Sequence, residues 1–176
     1  MNRVTLVTSE PIRPRMGGIG VRYLEMARHL AEGGRREVQL IAPSRPEEAA
    51  DLLPPGLRFR EFSLASLRDD LTGSAAIVAQ GQLANDVLLA RPAAPVAIDL
   101  YDPFLIEHLH YLESLGLDPY RNDHATWVLQ LSRGDFFLCS SEEQRLYYLG
   151  FLTALGRVNQ ERAAADEELR ALIDVE

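Results

Sequence analysis

The sequence predicts an α/β fold: a three-layer α/β/α, Rossmann-like, doubly wound domain with a mainly parallel sheet. Three observations carry this expectation. Short β-branched or apolar runs alternate along the chain with amphipathic stretches. The first strand-like run passes through a glycine-rich loop directly into a helix pattern. With 176 residues, 47% of them hydrophobic and 25% charged, the chain is long enough for one domain with a sizeable core.

The elements follow in order. Val4 to Thr8 is a short apolar and β-branched run that reads as a buried strand. A polar, proline-containing loop covers Ser9 to Gly18. From Gly20 to Glu32 the residues Tyr23, Leu24, Ala27, Leu30 and Ala31 share one stripe, and Arg22, Glu25, Arg28 and Glu32 lie on the other. Gly33-Gly34 supplies the stop, and Val38 to Ala42 is the second strand. This is a βαβ unit, whose strands must run parallel. Residues 44–56 read as loop with one helical turn over Pro46 to Leu52. Leu57 to Leu64 alternates as an edge strand does. Ala75 to Ala79 is a strand, Gln82 to Ala90 a helix, and Val96 to Leu100 a strand ended by Tyr101-Asp102-Pro103. Helices are expected over Phe104 to Leu115 and His124 to Ser132, separated by Gly116 to Asp123. Phe136 to Cys139 is the sixth and last strand. Ser141 to Leu155 is a helix capped by Ser140 or Ser141, and residues 160–172 form a closing helix.

Composition excludes several function classes. The net charge is −8, and the arginines are scattered, so a nucleic acid is not the expected partner. No apolar run reaches membrane-spanning length. The one cysteine, Cys139, rules out an internal disulfide framework and fits a cytoplasmic location; within an apolar strand it reads as buried and inert.

Two regions are candidates for chemistry, each at the carboxyl end of a strand, where such sheets bind ligands. The first is Met16-Gly17-Gly18-Ile19-Gly20. Glycines let the backbone approach a ligand and accept positive φ, and the helix N-terminus favours a phosphate. Arg13, Arg15 and Arg22 bracket the loop and would add charge-assisted bonds. The third glycine of the dinucleotide fingerprint is missing, and no Walker lysine follows. A plain tight turn before a helix is the other reading. The second region is Asp99-Leu100-Tyr101-Asp102-Pro103, with Glu107, His108 and His110 beyond it. Asp102 is the first catalytic candidate and Asp99 the second; Asp102 could equally cap the following helix. Tyr101 and His108 are candidates for the acceptor side or cleft. His108 and His110 are two apart and cannot share a helix face, so no metal site is expected.

The run Val4 to Thr8, then Met16-Gly17-Gly18-Ile19-Gly20, Tyr23-Leu24-x-x-Ala27-x-x-Leu30-Ala31, Gly33-Gly34 and Glu37-Val38 resembles the opening of GT-B glycosyltransferases of the large retaining family four. That family includes sucrose, glycogen and lipopolysaccharide glycosyltransferases. Gly134 to Glu142 followed by Arg145 is similar to the family's strand and helix near the end of the N-terminal domain. The resemblance implies a single Rossmann-like domain over 1–176, the acceptor-side half of an enzyme that transfers a hexose with retention. Gly17, Gly18 and Arg15 would approach the donor's diphosphate. The partners implied are a C-terminal donor-binding domain and a sugar, lipid-linked or other small acceptor. No metal or cofactor beyond the nucleotide sugar is expected. That second domain has no room before Glu176, so the chain reads as a fragment or half of a split enzyme, inactive alone. Glu161 and Glu168 have a spacing near that of the family's paired glutamates, but read as a solvated face of the closing helix. A non-catalytic α/β binding or interaction module is the alternative.

Overall fold

The computed structural model describes residues 3–32 and 34–176. It is an α/β Rossmann-like fold with seven parallel strands and helices on both sides. The chain divides into two compact units, Met1–Ala97 and Ile98–Glu176.

In the first unit, β1 (Arg3–Val7), β2 (Glu37–Ala42), β3 (Arg58–Glu61) and β4 (Ser74–Ala79) lie in the order β3-β2-β1-β4. β1 pairs in parallel with both β2 and β4, and β3 pairs in parallel with β2 at the edge, as its alternation requires. α1 (Gly18–Ala31) is the crossover between β1 and β2. Its apolar stripe buries Tyr23, Leu24 and Ala27; Tyr23 and Ala27 pack in one core with Leu6, Val38, Leu40 and Ala42. Each large side chain buried there contributes about 1.5–3 kcal/mol. The stop assigned to Gly33-Gly34 falls partly outside the described residues; Gly34 has the positive φ, 59°, of a helix-ending glycine. α2 (Pro46–Ala49) and a 3-10 turn to Leu52 fill the expected helical turn. α3 (Leu67–Leu71) is a short helix whose five residues give no periodicity to read; α4 (Gln82–Ala90) has the expected bounds.

β5 (Val96–Asp99) carries the chain across the boundary between the units. In the second unit it is followed by β6 (Phe136–Cys139) and β7 (Ile173–Val175), in the order β5-β6-β7. The expected helix over Phe104 to Leu115 is broken into α5 (Phe104–Glu107), a 3-10 turn over His108–Tyr111, and α6 (Leu112–Leu115). α7 (Leu117–Arg133) starts seven residues before its expected His124. Pro119 falls in its first turn, where the missing N–H has no acceptor to lose, so it does not break the helix. α8 (Glu142–Ala154) is capped by Ser141, whose hydroxyl accepts the Gln144 N–H at 3.2 Å. Its Tyr148 and Leu152 are buried, and Phe151 sits edge-on to Trp127 with ring centres 4.1 Å apart. The aromatic cluster is therefore core packing within this unit.

The closing helix is a correction. α9 covers only Gln160–Ala165, and the chain then turns into β7, a seventh strand parallel to β6. The Asp166 carboxylate accepts the N–H groups of Glu168 and Ala171, and Leu169 takes a positive φ of 58°. These local bonds replace the helical ones. Glu168 thus lies beyond the helix and pairs with Arg170 at 2.8 Å. Arg145, part of the motif near the domain end, is buried and structural: its Nε donates to the Ile173 carbonyl at 3.0 Å and its guanidinium also bonds the Glu168 carbonyl. Cys139 is fully buried, and burial raises its thiol pKa, as an inert cysteine requires.

Candidate functional site

The glycine loop leaves β1 and is more tightly built than its polar sequence suggests. Ile12 in its middle is fully buried, and its N–H donates to the Ser44 hydroxyl at 3.0 Å. Glu10 folds back along the loop. Its N–H donates to the Thr8 hydroxyl at 3.1 Å, and its carboxylate accepts the Gly17 N–H at 2.8 Å. The anion at the start of α1 is therefore the protein's own, and Glu10 is the residue that sequence reading missed. An acidic side chain seven residues before a glycine gives no local signal of such a bond. It is favourable because a carboxylate at a helix N-terminus meets both the dipole and an orphan donor.

The expectation that these glycines serve positive φ is corrected. Gly17, the N-cap, has φ −75° and ψ 177°, and Gly18 is not among the positive-φ glycines. Their use is space. A Cβ on Gly17 would sit 3.0 Å from Glu10 Oε1, and one on Gly20 would sit 2.9 Å from Met16 Sδ. Gly18 differs: a Cβ there would meet nothing within 4 Å, so its face is open to a ligand. Arg13 and Arg15 are exposed and make no ion pair among the described residues, whereas Arg22 is half-buried on α1 and engaged.

The second region lies wholly in the second unit. Asp99 is buried, and its carboxylate accepts the Tyr101 N–H at 3.2 Å. The Tyr101 carbonyl is held by the Gln144 amide at 3.2 Å, while the Tyr101 ring is exposed. Asp102 does not cap α5: the N-cap is Pro103, with no side-chain bond, and the Asp102 carbonyl accepts the Phe104 N–H at 2.8 Å. Its carboxyl instead hydrogen-bonds Glu107. That bond, with partial burial and the Asp102 charge, raises the Glu107 pKa above the ordinary 4.5.

His108 pairs with a residue the sequence did not suggest. Its Nδ1 lies 2.5 Å from Asp123 Oδ2, and Asp123 is buried on α7. A neutral imidazole held this way donates from Nδ1 and leaves Nε2 as the basic nitrogen. His110 takes no part. Among the described residues, no three His, Cys, Asp or Glu side chains gather as a metal-ligating group, and no helix is long and apolar enough to cross a membrane.

No family model and no curated protein matches the sequence. Two solved structures are similar. A UGT transferase from Siraitia grosvenorii, solved in complex with UDP, superposes with a TM-score of 0.52 at 11% identity, over 98% of this chain and 50% of that one. UGT2 of Phytolacca americana, solved without ligand, superposes with a TM-score of 0.49 at 14% identity, over 79% of this chain and 46% of that one. The chain spans about half the length of these structures. The likeness to the Siraitia protein is one of fold.

Proposed function

We propose that this chain is the acceptor-side half of a nucleotide-sugar-dependent glycosyltransferase of the GT-B type, transferring a hexose with retention. The observation that carries the reading is the superposition of nearly the whole chain on half of a UGT transferase solved with UDP. The glycine loop supports it: Gly18 has an open face at a helix N-terminus, with the unpaired Arg15 close by in sequence. In this proposal Gly17, Gly18 and Arg15 receive the donor's diphosphate, and Glu10 must first release the Gly17 N–H. Asp102, beside Glu107, offers a carboxyl oxygen to a sugar hydroxyl, and is the first catalytic candidate. Asp99, buried against the Tyr101 backbone, holds the loop in shape. Tyr101 and His108 face the acceptor, a sugar, lipid-linked or other small hydroxyl compound. The reaction calls on the nucleotide sugar alone, with no metal, in the cytoplasm, and its donor-binding domain is a partner of this chain.

One observation favours the other reading, a non-catalytic α/β binding module. Glu10 already fills the anion position at α1. The test uses the full-length gene product with UDP- and GDP-hexoses and small hydroxyl acceptors, following nucleoside diphosphate release. Gly18→Val adds bulk only toward the open face, so it should lower transfer about 100-fold while melting is unchanged. Turnover equal to that of the unaltered protein removes the loop from the reaction. No release with any donor supports the module.

A further inference from the structure

The first unit holds a cavity of about 250 Å³ away from the glycine loop. It opens beside Ser74, the first residue of β4, and Pro92 to Ala94, which lead into β5. Ser74 pairs with Arg3 at the start of β1, whereas the glycine loop follows Val7 at the end of β1. The cavity is therefore at the opposite end of the parallel strands.

Its charge is positive. Arg68 of α3 and Arg91 at the end of α4 both line it, and neither has an ion pair among the described residues. Among the described residues Asp69 is the one carboxylate in the wall, so a positive charge is left over. Arg91 also stands at φ 52° and ψ 60°, the left-handed position that a helix end ordinarily gives to glycine. An arginine kept there bears a backbone cost, which is understandable if its side chain has work to do.

We propose that this cavity binds a small phosphomonoester, a metabolite of sugar-phosphate size, through the Arg68 and Arg91 guanidiniums. Guanidinium forks match phosphate oxygens in geometry and charge. The volume is below the roughly 300–1,000 Å³ of ordinary ligand pockets, which excludes a whole nucleotide sugar. The net charge of −8 repels a polyanion such as nucleic acid, but not one small anion seated between two arginines. The site is separate from the proposed donor loop, and the proposal does not depend on that function.

The test is a titration of the full chain with glucose 6-phosphate and with inorganic phosphate, followed by amide shifts and by melting temperature at constant ionic strength. Saturable binding of the sugar phosphate at about 1 mM or tighter is expected, with Gly73 among the shifted amides. Arg68→Ala and Arg91→Gly should each weaken it about tenfold. Arg91→Gly relieves the left-handed strain and should melt no lower than the parent, so its loss of binding is not a loss of fold. The proposal is overturned by an absent or unsaturable shift, by binding that survives both substitutions, or by inorganic phosphate binding as tightly as the sugar phosphate.

Discussion

The loop from Ser9 to Gly18 in the first unit and the segment from Asp99 to Asp123 in the second each leave a buried strand, yet different forces hold them. The first is shaped by room that glycines leave: Gly17 for Glu10, Gly20 for Met16, and Gly81, at the N-cap of α4, for Ser9. The second is shaped by pairs of titratable groups: Asp102 with Glu107, and His108 with Asp123. The first region should therefore respond to added volume and the second to charge and pH. A loop built on space is sensitive to added volume, whereas one built on paired polar groups is sensitive to the loss of a partner.

The largest expected effect is at Gly81. It sits at φ 66° and ψ −153°, a conformation that is essentially glycine's alone, and a Cβ would lie 2.3 Å from Ser9 Oγ. Gly81→Ala should cost about 3 kcal/mol in urea unfolding, by the same amount at pH 5 and pH 8. A cost below about 1 kcal/mol would show that the loop yields, and the contrast between the regions would fail.

Next comes Asp123→Ala. It strips the buried partner from His108 and leaves an unfilled space, at about 2 kcal/mol. Asp123→Asn keeps the volume and one hydrogen bond, and should cost about half as much. Equal losses for the two would mean that volume, not pairing, holds the second region.

Glu107 gives the pH signature. Its folded pKa is raised above 4.5, chiefly by the hydrogen bond with Asp102. The folded state thus binds this proton more tightly than the unfolded chain does. The stabilisation is fully present below pH 4.5 and is lost as pH rises through the higher folded value. Urea midpoints measured upward from pH 4.5 should fall with this component in the parent and lose it in Glu107→Gln. Parallel curves for the two proteins would remove the raised Glu107 pKa as a source of stability.

Much of this architecture was legible in the sequence because burial imposes period on it. The stripe from Tyr23 to Ala31 and the runs that became β1 to β6 needed no tertiary information. What escaped had another cause. β7 is three residues long and follows an Ala-, Glu- and Arg-rich stretch whose helical propensity is real, but the Asp166 side chain ends that helix by binding two N–H groups beyond it. The segment from Gly116 to Asp123 reads as a separator, yet α7 begins at Leu117, and Pro119 is tolerated there because it lies in the first turn. In the candidate regions the loops were found from glycine and proline chemistry, but the partners were not. Glu10 reaches seven residues along the chain and Asp123 reaches back fifteen, and no local pattern encodes either distance.

The smallest effect tests the contrast at its weakest point, because Glu10 is a charge inside the region said to be governed by space. If its role is to fill the room beside Gly17 and accept one N–H, Glu10→Gln should be nearly silent, since the amide oxygen can accept the same bond. If the charge itself matters, the substitution should cost about 0.5 kcal/mol through the α1 dipole. Salt separates the two. A dipole contribution is screened, so the parent's advantage should shrink between about 0.01 M and 1 M salt as the Debye length falls from about 30 Å to 3 Å. A space-filling role leaves the difference between the proteins flat across that range. The shrinking outcome is the one expected, because the carboxylate that accepts the Gly17 N–H stands at the N-terminus of α1.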